Sequence, residues 1–284
     1  DPPGSVASAD SNVAQSIPAN LSPIPAYSGH WNFDPAGNIT SFTEGGLTTT
    51  RTHNNRSQLT NELLPSGDQF DYVYDPQGNQ TKEKFRPFGW VAAGDGKYKE
   101  IKTRAFGGFN EVSTFVLETR ATDGGTLSTA TSYKYYRTAG QVRLGKENLL
   151  GSSDQLEWFV HMGDNILTEY KQSAGVFTYT HKATNIPGAG TDNHLARVDI
   201  LVGNSMSLYL NNAIGSTHRI VNDAGVVLNQ DVTTPWGKDV PGYSFASAVP
   251  NRYGLTGQEK DKETATASDP TGEMHYRARG YSPR

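Results

Sequence analysis

Histidine and carboxylate are the side chains here best suited to metal binding or proton transfer, and the chain holds seven His and 29 Asp plus Glu. His161, His181 and His194 would form a three-nitrogen metal site if neighbouring strands brought them together, and are otherwise polar strand and turn residues. Asp192-Asn193-His194, next to Thr191, supplies the base, orienting carboxylate and hydroxyl of a nucleophilic triad, or a polar loop after Gly188-Ala189-Gly190. Asp34 and Asp75 are candidate calcium ligands on type alone, but each sits where a hairpin favours Asp as a turn acceptor. The acids leave room for a glycosidase pair, yet no spacing selects one. Trp31, Trp90, Trp158 and Trp236 suit sugar stacking, or equally core and hairpin pairing. Asn20, Asn38, Asn55 and Asn79 head glycosylation sequons, which matter only in a eukaryotic secreted chain. There is no Gly-x-Ser-x-Gly elbow, His-Glu-x-x-His, phosphate loop or dinucleotide fingerprint. No cofactor, no metal and no catalytic residue is therefore expected.

The elements that would position these residues are strands. The 284 residues include 30 Gly and 15 Pro, only 35% are apolar, and 10% are aromatic, with 14 Tyr. Helical periodicity is nearly absent, whereas Ser132–Tyr136 and Val176–His181 alternate with period 2. A net charge of -4 gives no footprint for nucleic acid. No apolar run approaches the ~20 residues of a membrane-spanning helix; the best, Val198–Val202, contains Asp199. Without cysteine there are no disulfides or thiol nucleophiles, in keeping with a bacterial exported protein. Residues 1–26 are rich in Pro and Ser, with Pro23-Ile24-Pro25 favouring extended backbone, and read as a tether or strap.

Two segments repeat one another. Trp31-Asn32-Phe33-Asp34-Pro35-Ala36-Gly37-Asn38-Ile39-Thr40 and Tyr72-Val73-Tyr74-Asp75-Pro76-Gln77-Gly78-Asn79-Gln80-Thr81 share aromatic, Asp, Pro, Gly, Asn and Thr at the same spacing. Looser copies lie at 52–60, 104–112 and 136–142. In each unit Asp accepts backbone hydrogen bonds at the start of a turn, Pro fixes φ, and Gly takes the left-handed conformation as the chain re-enters a strand. The product is a hairpin with a type I turn and a glycine bulge. One hairpin is barely stable alone, so a series must pair side by side, with stacked Tyr and Phe on the buried face.

These units resemble the YD repeats of the Rhs and teneurin group. The C-terminal third sharpens the resemblance: Gly215-Ser216-Thr217-His218-Arg219 is similar to the family's Leu-Gly-Ser-Thr-Arg segment and is followed by an Asp-x-x-Gly-like turn. Thr234-Pro235-Trp236-Gly237 stands where the family has Asp-Pro-Phe-Gly. Thr256-Gly257-Gln258-Glu259 and Tyr276-Arg277-Ala278-Arg279-Gly280-Tyr281-Ser282-Pro283 resemble the Rhs-associated core. The resemblance covers residues 30–284 and implies an all-β strip of consecutive antiparallel hairpins forming a curved sheet or partial shell. It implies degenerate repeats over 27–203 and an incomplete core-like region over 204–284. The structural repeat residues would be Phe33, Asp34, Gly37, Tyr74, Asp75, Gly78, Gly215, Gly237, Gly257, Arg279 and Tyr281.

In the family such a shell encloses a C-terminal cargo, commonly a toxin, released by self-cleavage behind the core. The residues near that cleavage point would lie beyond Arg284, and Ser282 stands where many members have Asp, so autoproteolysis is not expected of this chain. Roughly 13 hairpins at ~4.8 Å per strand give a strip ~125 Å long, short of the ~175 Å circumference needed around a cargo of about 120 residues. The expected partners are thus the downstream cargo polypeptide and copies of the chain itself, at a bacterial cell surface or outside the cell. The rival expectation is an adhesion or glycan-binding module, and a third is a hydrolase with converging carboxylates.

Overall fold

The computed structural model describes residues 29–139, 142–151, 156–172, 178–190, 192–233, 245–246, 251–269, 272–276 and 279–281. The fold is all-β. Its main body is an 18-stranded sheet: β1 Gly29–Phe33, β2 Ile39–Glu44, β3 Leu47–His53, β4 Leu59–Leu63, β5 Gln69–Tyr74, β6 Gln80–Arg86, β7 Glu100–Phe106, β8 Val112–Thr119, β9 Ser128–Arg137, β10 Arg143–Asn148, β11 Leu156–Met162, β12 Asn165–Gln172, β13 Thr180–Pro187, β14 His194–Asp199, β15 Ser205–Asn211, β16 Thr217–Asn222, β17 Val227–Gln230 and β18 Phe245–Ala246. Each strand pairs antiparallel with the next in sequence, and among the described residues β1 and β18 are not joined, so the sheet is an open strip. Of the two period-2 segments, Ser132–Tyr136 lies within β9, whereas β13 begins only at Thr180, and Val176 and Phe177 fall outside the described residues.

The turns explain why hairpin follows hairpin. At Asp34, Asn54, Leu64, Asp75, Gly107, Asn212 and Asn222 the same two backbone bonds recur: this residue's N–H donates to the carbonyl four residues on, and its own carbonyl accepts from the N–H three residues on. The residue three on is left-handed each time, as Gly37, Ser57, Gly67, Gly78, Asn110, Gly215 and Gly225. That is a β-turn closed by a glycine-type bulge, and the ladder shifts register beside it, as at Asn32/Phe33 and Val73/Tyr74.

Opposed residues of an antiparallel pair share a face. Following the register, Glu83, Lys102 and Leu117 share one face, as do Arg104, Phe115 and Tyr133. On that same face lie Tyr135, Lys146 and Glu157, then Phe159, Glu169 and Ala183, then Asn185, Arg197 and Ser207. This is the buried face. It holds two apolar clusters, one of Val112, Phe115, Leu117 and Tyr135, the other of Tyr209, Ile220 and Tyr253. Elsewhere it is charged: Glu62, Glu83, Lys102 and Arg104 lie before the first cluster, Arg143, Glu169 and Arg197 between the two, and all are buried. The expectation of a face built from stacked Tyr and Phe is thus met at those clusters and at the Phe70–Phe85 pair, and not across the face as a whole.

The reason is the nature of the cover. After β18, residues 251–269 and 272–276 run back across the buried face as a strap containing β19 Glu259–Asp261 and β20 Glu273–Tyr276, with β21 Arg279–Tyr281 completing a small three-stranded sheet. The strap is rich in Asp, Glu and Lys, so the strands beneath it carry the complementary charges.

Candidate functional site

The seam between strap and sheet gathers the densest set of buried charged groups, and it begins at Asn251. The Asn251 amide donates to Asp231 Oδ2 at 2.6 Å, and Lys260 Nζ meets the same oxygen at 2.5 Å. Arg252 reaches β12, where its Nη1 lies 2.7 Å from Glu169 Oε2, and also pairs with Glu259. Glu169 is 0% exposed and is held as well by Arg197, by Lys182 and by the Asn185 amide. Because side chains alternate along extended β19, Lys260 turns toward Asp231 while Glu259 and Asp261 turn toward β10. There Arg143 grips Asp261 with two bonds of 2.5 and 2.7 Å, the fork geometry that makes Arg–carboxylate pairs strong. Lys146 meets both oxygens of Glu263 at 3.1 Å. The far end docks on β7: Lys102 donates to Asp269 at 2.9 Å and Arg104 to Glu273 at 2.8 Å, while Ser268 bonds Glu100.

The electrostatics follow from burial and pairing. Burial alone would raise the Glu169 pKa, but Arg252, Arg197 and Lys182 pull it down to about 2. Burial works the same way on Glu259 and Asp261, and Arg252 and Arg143 overcome it, leaving both below the ordinary carboxylate range. Glu263 goes up, because burial and the nearby Asp261 outweigh Lys146. Buried ion pairs are no more stabilising on balance than well-packed apolar groups, but removing one partner is costly. The seam therefore fixes the register of the strap more than it adds stability.

The histidines go separate ways. His161 Nε2 bonds the Arg143 carbonyl, and His181 Nε2 bonds the Ala183 carbonyl and the Thr184 hydroxyl. His194 Nε2 donates to the Gly257 carbonyl at 3.0 Å, its ring stacked on Tyr253 at 3.4 Å. Among the described residues no three His, Asp or Glu form a metal-binding group. Asp192 is not set to orient His194: its Oδ2 accepts from Gln258 at 2.6 Å. Both residues of the supposed triad are docking points for the strap. Gly257 is where strap and loop come closest, since a Cβ there would lie 2.1 Å from the Asp192 carbonyl oxygen and φ is +74°.

Of the structural repeat residues, Asp34 Oδ1 accepts the N–H groups of Ala36 and Asn38 at 2.9 and 2.8 Å, and Asp75 Oδ1 that of Asn79 at 2.8 Å. The Asn38 and Asn79 amides donate to the second oxygens, and these bonds hold both acids below the usual range. With donors on both oxygens, these carboxylates are turn acceptors. Phe33 ends β1, 61% exposed, and Tyr74 ends β5 with its hydroxyl on the Leu59 carbonyl. Gly215 is left-handed in the Asn212 turn, Arg279 and Tyr281 pair with Tyr276 and Met274, and Gly237 lies outside the described residues, as do residues 1–26, Thr191 and Trp236.

Trp158 packs against Tyr136 at 5.3 Å on the opposite face of the sheet, across Gly145, where a Cβ would meet the Trp ring at 2.9 Å. Lys134 covers the Tyr136 ring, and Tyr170 packs on His181. Trp158, Tyr136, Tyr170 and His181 are thus packed ring against ring rather than presented singly.

Sequence reasoning missed the ionic seam. Its one visible signal was the alternation Glu259-Lys260-Asp261, which has no meaning until the facing strands are known.

No family model matches the chain, and no curated protein matches it. Solved structures similar to it include "Crystal Structure of TcdB2-TccC3-Cdc42", 15% identical over 91% of this chain with a TM-score of 0.45. Another is the Photorhabdus luminescens Tc holotoxin pore, 15% identical over 91% with a TM-score of 0.43. A third is "Crystal Structure of TcdB2-TccC3", 14% identical over 91% with a TM-score of 0.43. The chain spans only 15%, 15% and 16% of the length of those chains, respectively. No helix among the described residues is long and apolar enough to cross a membrane.

Proposed function

We propose that this protein is a scaffold segment of a YD-repeat protein, one that encloses or presents a polypeptide encoded C-terminal to it. The carrying observation is the strap. By returning over the buried face to β7, it sets residues 272–276 on that face, so a polypeptide continuing from there starts on the strapped side of the strip. In this reading the hairpins of residues 27–203 supply the wall and residues 204–284 the closing region. The motif positions Asp34, Asp75, Gly37, Gly78, Gly215 and Gly257 serve as turn and docking geometry, as do Phe33, Tyr74, Arg279 and Tyr281 at their own places in the repeat. The strongly paired state of the buried charges supports a structural role for them. Partners would be that polypeptide and, through the open ends of the strip, further copies of the chain, at the cell surface or outside a bacterial cell.

Co-expression with the coding sequence that follows it in the gene tests this. The downstream polypeptide is expected to co-elute with the scaffold and to resist a protease that digests it when expressed alone. Equal digestion rates with and without the scaffold would end the proposal. Specific glycan binding abolished by Trp158→Ala would replace it with the adhesion reading.

A further inference from the structure

We propose that the strap, residues 251–269 and 272–276, forms an acid-released latch: on mild acidification it leaves the sheet as a unit while the hairpin strip stays paired. The inference is independent of the scaffold reading. Three observations carry it.

First, the strap is attached mainly by ion pairs and polar bonds, with little apolar surface to hold it once one contact is lost. Its anchors are Arg252–Glu169, Arg143–Asp261, Lys146–Glu263, Lys102–Asp269 and Arg104–Glu273, with Tyr253 as the one large apolar anchor in the second cluster. Second, the strip does not need the strap for its own pairing, because each strand is bonded to its sequence neighbours through the backbone. Third, a histidine sits at the hinge of the attachment.

From the strap, His194 meets the Tyr253 ring and the Gly257 carbonyl, with Arg252 and Glu259 as the nearest charges. From β15 it meets the edge of Tyr209, and Asn211 donates to its carbonyl. On β13 its partner in the ladder is the uncharged Pro187. On its own side Arg197 pairs with Glu169 and Asp199, and Asp192 is bonded to Gln258. A proton on Nδ1 would place a cation beside Arg252 in a desolvated stack, and Glu259, already paired with Arg252 and Arg143, is the one opposing charge.

The sign is definite. Burial holds His194 down to about 4, below the 6.5 of a free histidine. Release raises its proton affinity, so its contribution to docking is complete above pH 6.5 and declines as pH falls to about 4. Over that window the docking equilibrium falls by about 300-fold. Glu263, held above the ordinary carboxylate range, works against release, so His194 is the group that drives it.

The experiment is hydrogen exchange on the full chain between about pH 7.5 and pH 5, with rates normalised to the intrinsic exchange at each pH. Amides of 254–265 are expected to lose protection at least ~10-fold while those of β7 to β9 hold theirs. His194→Gln, whose amide still donates to the Gly257 carbonyl but does not titrate, is expected to keep the strap protected at the lower pH. As a check on the native chain, the His194 imidazole followed by NMR should titrate well below a free histidine and together with the loss of strap protection. The proposal is overturned by unchanged strap protection at the lower pH, by strap and strip opening together, by a variant that tracks the wild type, or by an ordinary His194 titration.

Discussion

Ser57 holds the left-handed turn position at φ 58 that Gly37, Gly67 and Gly78 hold in neighbouring hairpins. A Cβ is disfavoured there, and the exposed Ser57 hydroxyl gains only a long 3.3 Å bond from the Asn38 amide, so Ser57→Gly should stabilise the protein by about 0.5 kcal/mol in thermal or urea unfolding. Asn110 sits at the same position and should gain less, since Asn tolerates this conformation. The glycines separate two causes of strain. Gly37→Ala meets open space and should cost only the backbone term, about 1 kcal/mol. Gly257→Ala adds a collision with the Asp192 carbonyl and should cost about 2 kcal/mol more, together with loss of strap protection in hydrogen exchange. The Thr of the repeat has a use that its spacing alone did not disclose. Thr40, Thr60, Thr81 and Ser113 each donate to a strand carbonyl beside the bulge, on Asn32, Thr52, Val73 and Ala105. Thr81→Val should therefore cost about 1 kcal/mol by denaturant unfolding despite its half-exposed site.

Among elements, the pair most worth perturbing is strap and β12. Glu169→Gln leaves Arg252 and Arg197 with one fewer carboxylate in a buried site, and a loss of about 3 kcal/mol is expected by denaturant unfolding. The same residue predicts an acid limb in the stability curve. Its folded pKa of about 2 lies below the 4.5 of a free Glu, so its contribution is complete above pH 4.5 and is lost as pH falls toward 2. Acid unfolding monitored by circular dichroism should show this limb in the wild type and lack it in Glu169→Gln. The hairpins themselves were legible because each turn is specified locally: Asp34-Pro35-Ala36-Gly37 names its acceptor, its fixed φ and its left-handed residue within four positions. The Leu64 turn, with no Asp, escaped notice, and at 222–225 the acceptor is Asn222 where the motif had drawn attention to Asp223. The strap could not be read in this way. Arg104 and Glu273 are 169 residues apart, and nothing near either one names the other.

For the whole molecule, composition and repeat chemistry were enough for an all-β strip, and insufficient for what covers it. Apolar content of 35% is too low to face a long sheet with hydrophobic side chains throughout. The structure answers with salt-paired polar cover, which no count of Tyr and Phe foretells.

The neighbour-by-neighbour order of the sheet has a consequence for how the chain is made. Every hairpin joins the one synthesised just before it, so the wall can grow from the ribosome with loops only a few residues long to close. Glu83 of the preceding strand already faces Lys102 and Arg104, whereas their second carboxylates, Asp269 and Glu273, emerge only after the last strands. Truncating the gene before Glu259 should therefore yield a nascent wall that is already hairpin-rich, with the charged face beneath the strap open to solvent.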